Sequence, residues 1–410
     1  MRTPLPKPNN TLCWYPFSQL ALKSWNKDGI KFAGPCCNIR HEGLEFEKGA
    51  LPIEIFHGDH MEEIRQSMLR GEKHSTCRVC WDEESWNKGS PDSYRLWSAD
   101  PNDNEHVNIL EPKLQVMDFG FGEDCNMRCR MCKPGSSNKL RIDYKYFVDN
   151  KIDTTGIPHF DWANNDPMHD VNVEPNSHNT VYLGVAGKQW QNILDNINDL
   201  VYVKATGGET LQAKEFLYFI DLAIQKDIAK NMTLLITTNG TKFSKKLVDK
   251  LNNFKKIELI LSIESIGDNY EYIRYPVKWK TLEKNLAKVK DTNFDIKVSS
   301  VLSVYNAHYI TELCEYFDGY RVSIDLLNRD QFIDTKFLPV ELKSELIEDY
   351  EAVTTGAVLK KAINYLKYNL IHEPTEEDIS NLKREICAFD SSRDQSYVDY
   401  LHPKIIQCLK

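Results

Sequence analysis

The chain has 410 residues, 41% of them hydrophobic, with 51 Lys and Arg against 60 Asp and Glu for a formal net charge of −9. That supports one large domain with one or two smaller ones, and an acidic total without a long basic run argues against a general nucleic-acid binder. No apolar run approaches the ~20 residues of a membrane span, and the N-terminus MRTPLPKPNNTLCWYPF lacks the apolar stretch of a signal peptide; a cytoplasmic location is expected, where eleven Cys point to metal ligation rather than disulfides.

Residues 1–10, rich in Pro and Asn, read as a loose tail. Cys13 then leads an apolar run, Phe17–Leu22, a turn at Asn26–Gly29, and a second run, Ile30–Ala33, that ends at Cys36 and Cys37. This is the pattern of a hairpin with Cys at its open end. Ile55, Phe56, Ile64, Met68 and Leu69 recur at helical spacing over Glu54–Leu69. The helix leads to Cys77-Arg-Val-Cys80 and Trp81–Glu84. A CxxC knuckle after a hairpin carrying a Cys pair signals a metal site, iron–sulfur or zinc. Such a site would staple a unit too small to stand on its own core. The polar stretch Trp86–Pro112 reads as a linker.

Leu114–Phe119 is mostly apolar and ends at Gly120, a buried strand running into a loop. The loop holds Cys125, Cys129 and Cys132. Thiolates ligate iron–sulfur clusters and structural zinc, and a closed site of either kind wants four ligands. Three ligands leave one position for a distant residue or a substrate. Ser136–Val148 reads as a helix capped by Ser136 or Ser137. Residues 151–180, aperiodic and rich in Asn, Asp, Pro and His, read as an insertion at the mouth of the site or as a surface excursion. After a short helix at Trp190–Leu194, strands at Leu200–Ala205, Met232–Thr238, Lys256–Ile263, Asp295–Val301 and Arg321–Leu327 alternate with helices at Ala213–Ile224, Phe243–Leu251, Trp279–Val289 and Ile310–Phe317. Six strands alternating with helices predict an α/β fold with a parallel sheet, a partial (β/α)6 TIM-like barrel with its chemistry at the C-terminal strand ends. Helices from Leu338 onward are expected to cover its open side. The predicted divisions are a module at 1–85, a linker at 86–112, the barrel at 113–330 and a helical region at 331–410.

Polar residues gather at those strand ends. Gly207 and Gly208 free the backbone to approach a ligand, and the Glu209 carboxylate can accept from an ammonium. Asn239 is a polar contact or part of an Asn-Gly turn. Ser262 and Glu264 share a strand face, as ligand contacts or as a solvated strand end. Cys314, Cys387 and Cys408 are isolated and read as packing or surface residues.

The C-x3-C-x2-C loop with Met131 before its last Cys, and Gly-Gly-Glu after the next strand, resemble the radical SAM superfamily. The resemblance implies a 4Fe–4S cluster on Cys125, Cys129 and Cys132. Its fourth iron would be chelated by S-adenosylmethionine. Gly207, Gly208 and Glu209 would bind the methionine amine, although Thr210 stands where the family commonly has Pro. Ser262 and Glu264 would contact the SAM ribose and carboxylate, and Arg274 a SAM or substrate carboxylate. Residues from Ser299 to Leu302 and Asn306 would lie by the adenine. The N-terminal unit resembles the twitch/SPASM modules that bind an auxiliary 4Fe–4S cluster, though those usually follow the barrel. The implied auxiliary ligands are Cys13, Cys36, Cys77 and Cys80, with Cys37 the alternative to Cys36; a zinc ribbon would use the same four thiolates. The implied activity is reductive cleavage of SAM to a 5′-deoxyadenosyl radical that abstracts hydrogen. The expected partners are a one-electron donor such as flavodoxin or ferredoxin and a peptide or protein substrate, with a small molecule or nucleotide as alternative. A zinc-bound scaffold without catalysis is the reading from a different class.

Overall fold

The computed structural model describes residues 11–26, 29–39, 50–86, 93–97, 107–160, 191, 193–327, 331–353 and 356–410. The N-terminal tail, the hairpin turn, most of the linker, residues 161–180 of the insertion and the start of the helix expected at Trp190 lie outside them.

One eight-stranded sheet runs in the order β2-β1-β3-β4-β5-β6-β7-β8. The hairpin is β1 (Gln19–Asn26) and β2 (Gly29–Gly34), paired antiparallel. The six barrel strands are β3 (Val116–Gly120), β4 (Tyr202–Thr206), β5 (Thr233–Thr238), β6 (Lys256–Ser262), β7 (Asp295–Leu302) and β8 (Arg321–Leu326), each parallel to the next. Helices follow the strands: α1 (Arg141–Asp149), α2 (Lys214–Gln225), α3 (Lys245–Leu251), α4 (Gly267–Ile273), α5 (Trp279–Leu286) and α6 (Ile310–Tyr316), all but α4 as expected. Ser244 caps α3 through its hydroxyl on the Leu247 N–H. No alternation of apolar positions marks α4, and the sequence reading passes over it.

Three features depart from the sequence pattern. The one helix expected over Glu54–Leu69 is two, Pro52–Phe56 and Asp59–Leu69, broken at His57 and Gly58. The helix after the cysteine loop starts late, at Arg141, behind two single-turn 3-10 pieces at Pro134–Ser136 and Asn138–Leu140. Ser137 does not cap it; its hydroxyl donates to the Met127 carbonyl and pins the loop (2.6 Å). The hairpin is also not set apart from the barrel. β1 pairs parallel with β3, from Gln19 beside Val116 to Leu22 beside Phe119, and so carries the N-terminal module on the barrel's own sheet.

Burial alternates along the strands. Leu234 and Ile236 on β5 and Ile257, Leu259 and Leu261 on β6 are buried in one continuous core with Phe216, Phe219 and Ile220 of α2. Their half-buried neighbours form the opposite, inner face. Thr237, Ser262, Val301 and Asp325 from four successive strands line one cavity, so the sheet curls around it as a partial barrel. Beyond β8 the chain is helical: α7 (Val340–Ala352), α8 (Gly356–Tyr368), α9 (Glu376–Arg393) and α10 (Pro403–Cys408). α8 packs against β8, and α9 against α1. Among the described residues no helix is long and apolar enough to cross a membrane.

Candidate active site

The C-terminal strand ends and the cysteine loop enclose a cavity of about 360 Å³. That size is ordinary for a small-molecule site. Cys125, Cys129 and Cys132 all line it, facing Gly207, Gly208, Asn239, Ser262, Glu264 and Arg274. Of the site residues expected on the barrel, Glu209, Ser299, Ser300, Leu302 and Asn306 do not line this space; the others, with Val301, do.

The loop's shape is dictated from β4. The Gly208 N–H donates to the Gly122 carbonyl (2.8 Å) and the Glu209 N–H to the Asp124 carbonyl (2.7 Å). A Cβ at Gly208 would sit 2.4 Å from the Asp124 oxygen, so glycine is required for this close approach. Glu209 is fully buried. Its carboxylate accepts from Thr238 Oγ1 (2.6 Å), the Asn239 N–H (2.8 Å) and the Leu211 N–H (3.0 Å). These bonds oppose the burial that pushes its pKa up. Glu209 ties β4 to β5 under the cavity floor rather than lining the cavity. Asn239 donates to Asn126 Oδ1 (3.0 Å) and lies 4.0 Å from Cys125 Sγ.

On the other side, Arg274 forms a buried ion pair with Glu264 through Nε and Nη2, and its Nη1 is 3.6 Å from Cys129 Sγ. A hydrogen bond with Cys132, aided by the Arg274 charge, holds the Cys129 thiol below its usual range. Burial pushes Cys125 up to about 12, so this thiol needs an added positive charge to ionise. Asn306 braces the strand ends: its Nδ2 donates to the carbonyls of Glu264 (2.9 Å) and Val301 (3.0 Å). Lys133, Asp325 and Gln331 also line the cavity, and the sequence reading missed them. Asp325 accepts from Ser299 Oγ (2.6 Å); a single polar residue at a strand end carries no sequence signal of its role.

Behind the loop stands a wall of buried ion pairs. Arg130 reaches Asp390 on α9 (2.6 Å), with its guanidinium 3.6 Å above the Tyr272 ring. Arg128 and Arg393 share Asp143 (3.0 and 3.1 Å). His159 lies between the Cys132 carbonyl (2.7 Å) and Glu385 (2.6 Å), both side chains fully buried.

The N-terminal cysteines form a second, nearly closed pocket, lined by Cys13, Cys36, Cys77 and Cys80 with Tyr15, Tyr94 and Arg95. Cys36 rather than Cys37 faces it; the Cys37 thiol turns to Asn38 Oδ1 (3.8 Å). Cys80 accepts from the Arg95 N–H, and Arg95 is anchored to Glu84 (2.6 Å) and to the Leu12 carbonyl (2.9 Å). Cys314 is buried on α6, and Cys387 and Cys408 are half-buried, all apart from both pockets. Among the described residues no three His, Cys, Asp or Glu side chains form a group that could hold a single metal ion.

No family model and no curated protein matches the chain. It is similar to several solved structures. One is anSMEcpe with bound AdoMet and Cp18Cys peptide, at 15% identity over 60% of this chain and 62% of that one, TM-score 0.40. Another is Streptococcus suis SuiB bound to S-adenosylmethionine, at 13% identity over 75% and 61%, TM-score 0.35. A third is TYW1 with a lysine-pyruvate adduct bound, at 14% identity over 58% and 70%, TM-score 0.29. The chain spans about three-fifths of the length of the first two.

Proposed function

We propose that this chain is a radical SAM enzyme acting on a peptide or protein. The observation that carries the reading is the meeting of three loop thiols with the glycine pair, Asn239, Ser262, Glu264 and Arg274 around one cavity at the mouth of six parallel strands. The donor set fits a 4Fe–4S cluster: three soft sulfurs on one bend, with an amide and a guanidinium against two of them. Cys125, Cys129 and Cys132 would hold it, and the glycine turn at Gly207 and Gly208 with the polar groups of Ser262, Glu264 and Arg274 would hold S-adenosylmethionine. When bound, these groups supply one electron to the sulfonium and a 5′-deoxyadenosyl radical that takes hydrogen from an unactivated C–H. The chain's own residues orient the metabolite and limit water around it. Arg274 holds Glu264 in place and offsets thiolate charge at Cys129, while Glu209 fixes the floor from below. Cys13, Cys36, Cys77 and Cys80 would hold an auxiliary 4Fe–4S cluster, and four thiol ligands in a nearly closed pocket favour electron transfer over substrate ligation there. The peptide class rests on the likeness of this module to twitch/SPASM units, and the reducing electron would come from a flavodoxin or ferredoxin.

The test is anaerobic reconstitution with iron and sulfide, followed by SAM and dithionite. Two clusters predict about eight irons per chain and deoxyadenosine as product, lost in Cys129→Ala. About four irons, unchanged by Cys13→Ala, would remove the auxiliary cluster. Zinc with no deoxyadenosine would overturn the enzyme reading in favour of a scaffold.

A further inference from the structure

Lys204 sits on β4 with its side chain on the inner face of the sheet, outside the SAM cavity and unused by the chemistry above. Its ammonium donates to Gln19 Oε1 (2.7 Å) and to the Tyr94 hydroxyl (2.9 Å), and lies 4.6 Å from the centre of the Tyr15 ring. Among the described residues no carboxylate comes within 4.0 Å of it. Each of its neighbours leads to the N-terminal cysteines. Tyr15 and Tyr94 stack on each other at 4.8 Å, and both line the four-cysteine pocket. Gln19 is fully buried and donates to the Pro35 carbonyl (2.9 Å), one residue before Cys36. A barrel-strand cation is thus wired through two phenols and an amide to the wall of the auxiliary site.

The reduced form of a thiolate-ligated cluster carries one more negative charge than the oxidised form, so a nearby cation favours the reduced form. Charge, hydrogen bonding and solvent exclusion set the potential of such centres, and in a poorly hydrated pocket the effect is weakly screened. Resting on the reading of this module as an iron–sulfur site, we infer that Lys204, acting through Tyr94 and Tyr15, raises the reduction potential of the centre held by Cys13, Cys36, Cys77 and Cys80. It is a positioning and tuning residue: it touches neither cluster nor substrate. Asp118, beside Lys204 across the β3–β4 ladder and buried, supplies the opposing charge, and its field reaches Tyr94.

The experiment uses the full chain carrying Cys125→Ala, Cys129→Ala and Cys132→Ala, reconstituted with iron and sulfide so that only the auxiliary centre remains, and titrated potentiometrically by EPR. Lys204→Met is expected to move the midpoint to more negative potential and Asp118→Asn to more positive potential, with iron content unchanged in both. Tyr94→Phe, which keeps the ring and removes the hydroxyl, is expected to move it in the same direction as Lys204→Met by a smaller amount. A background chain that binds no iron would overturn the auxiliary-cluster reading itself. Full iron content with the same midpoint in Lys204→Met and Tyr94→Phe would overturn the role of Lys204 while leaving the cluster in place. If Lys204→Met loses iron, the midpoint of Tyr94→Phe decides.

Discussion

Single side chains decide whether the cavity can bind anything. Arg274 and Glu264 are both buried and satisfy each other. Arg274→Met would leave the Glu264 carboxylate buried and unpaired, at a cost of about 3–5 kcal/mol. Its urea midpoint should fall, and the EPR response of the loop cluster to added SAM should disappear. Arg274→Lys should recover only part of either property, because a lysine cannot reproduce the two-pronged contact. Gly208→Ala tests the docking of β4 on the loop. A methyl carbon 2.4 Å from the Asp124 oxygen must displace backbone, which costs roughly 1–3 kcal/mol. Weaker iron retention with the rest of the fold intact is the expected result. Gly207, Gly208 and Glu209 stand out in the chain because Gly-Gly-Glu follows a strand, whereas Arg274 stands out only through the family resemblance. The direction each faces was not legible. Glu209 reads as a ligand group, and its carboxylate is held by the Leu211 N–H two residues on and by Thr238 and Asn239 at the end of the neighbouring strand; the last two become its neighbours only when the sheet forms.

At the scale of elements, α9 is the support of the cysteine loop. Arg130, buried at 0% exposure, projects from between Cys129 and Cys132 to Asp390 on that helix. Arg130→Met should destabilise the chain by about 3–5 kcal/mol by stranding Asp390, and should release iron faster under chelator. Asp390→Asn keeps an oxygen for Arg130 and Tyr272 to donate to, so a smaller loss is expected. Iron release by ferrozine and unfolding by urea distinguish the two. The six barrel strands were readable because runs of Val, Ile and Leu recur between helical patterns, with ends correct to within about two residues. The role of α9 was not readable. Its ties to the loop join residues some 260 positions apart, and a polar residue on a helix does not declare its partner. For the same reason the sequence separated the hairpin from the barrel, whereas β1 is the parallel neighbour of β3.

Across the whole molecule, a half-buried histidine pair should shape the response to acid. His308 stacks on His402 at 4.1 Å. Burial, then the charges of His402 and Lys404, holds the His308 imidazole down to about 4 from its ordinary 6.5. Between those values the unfolded chain takes up a proton that the folded chain refuses, so stability rises with pH there. The contribution is whole above 6.5 and drains away as pH falls toward 4. Thermal unfolding of the full chain from pH 7 to pH 4 should show this slope. His308→Gln should flatten it; an identical slope in the variant would assign the acid sensitivity to other groups.

The seating of the hairpin on the barrel sheet also governs what happens to a shortened chain. The β1–β3 ladder covers that side of β3 from Val116 to Phe119, on the strand that launches the cysteine bend. Expressing residues 113–410 alone would strip this cover and leave a bare rim of amides and carbonyls open to any passing strand. Such a fragment should self-associate on size-exclusion chromatography even where its helices survive by circular dichroism. The leading module would then be a sheet-edge guard, and cutting it away would cost solubility before it cost chemistry.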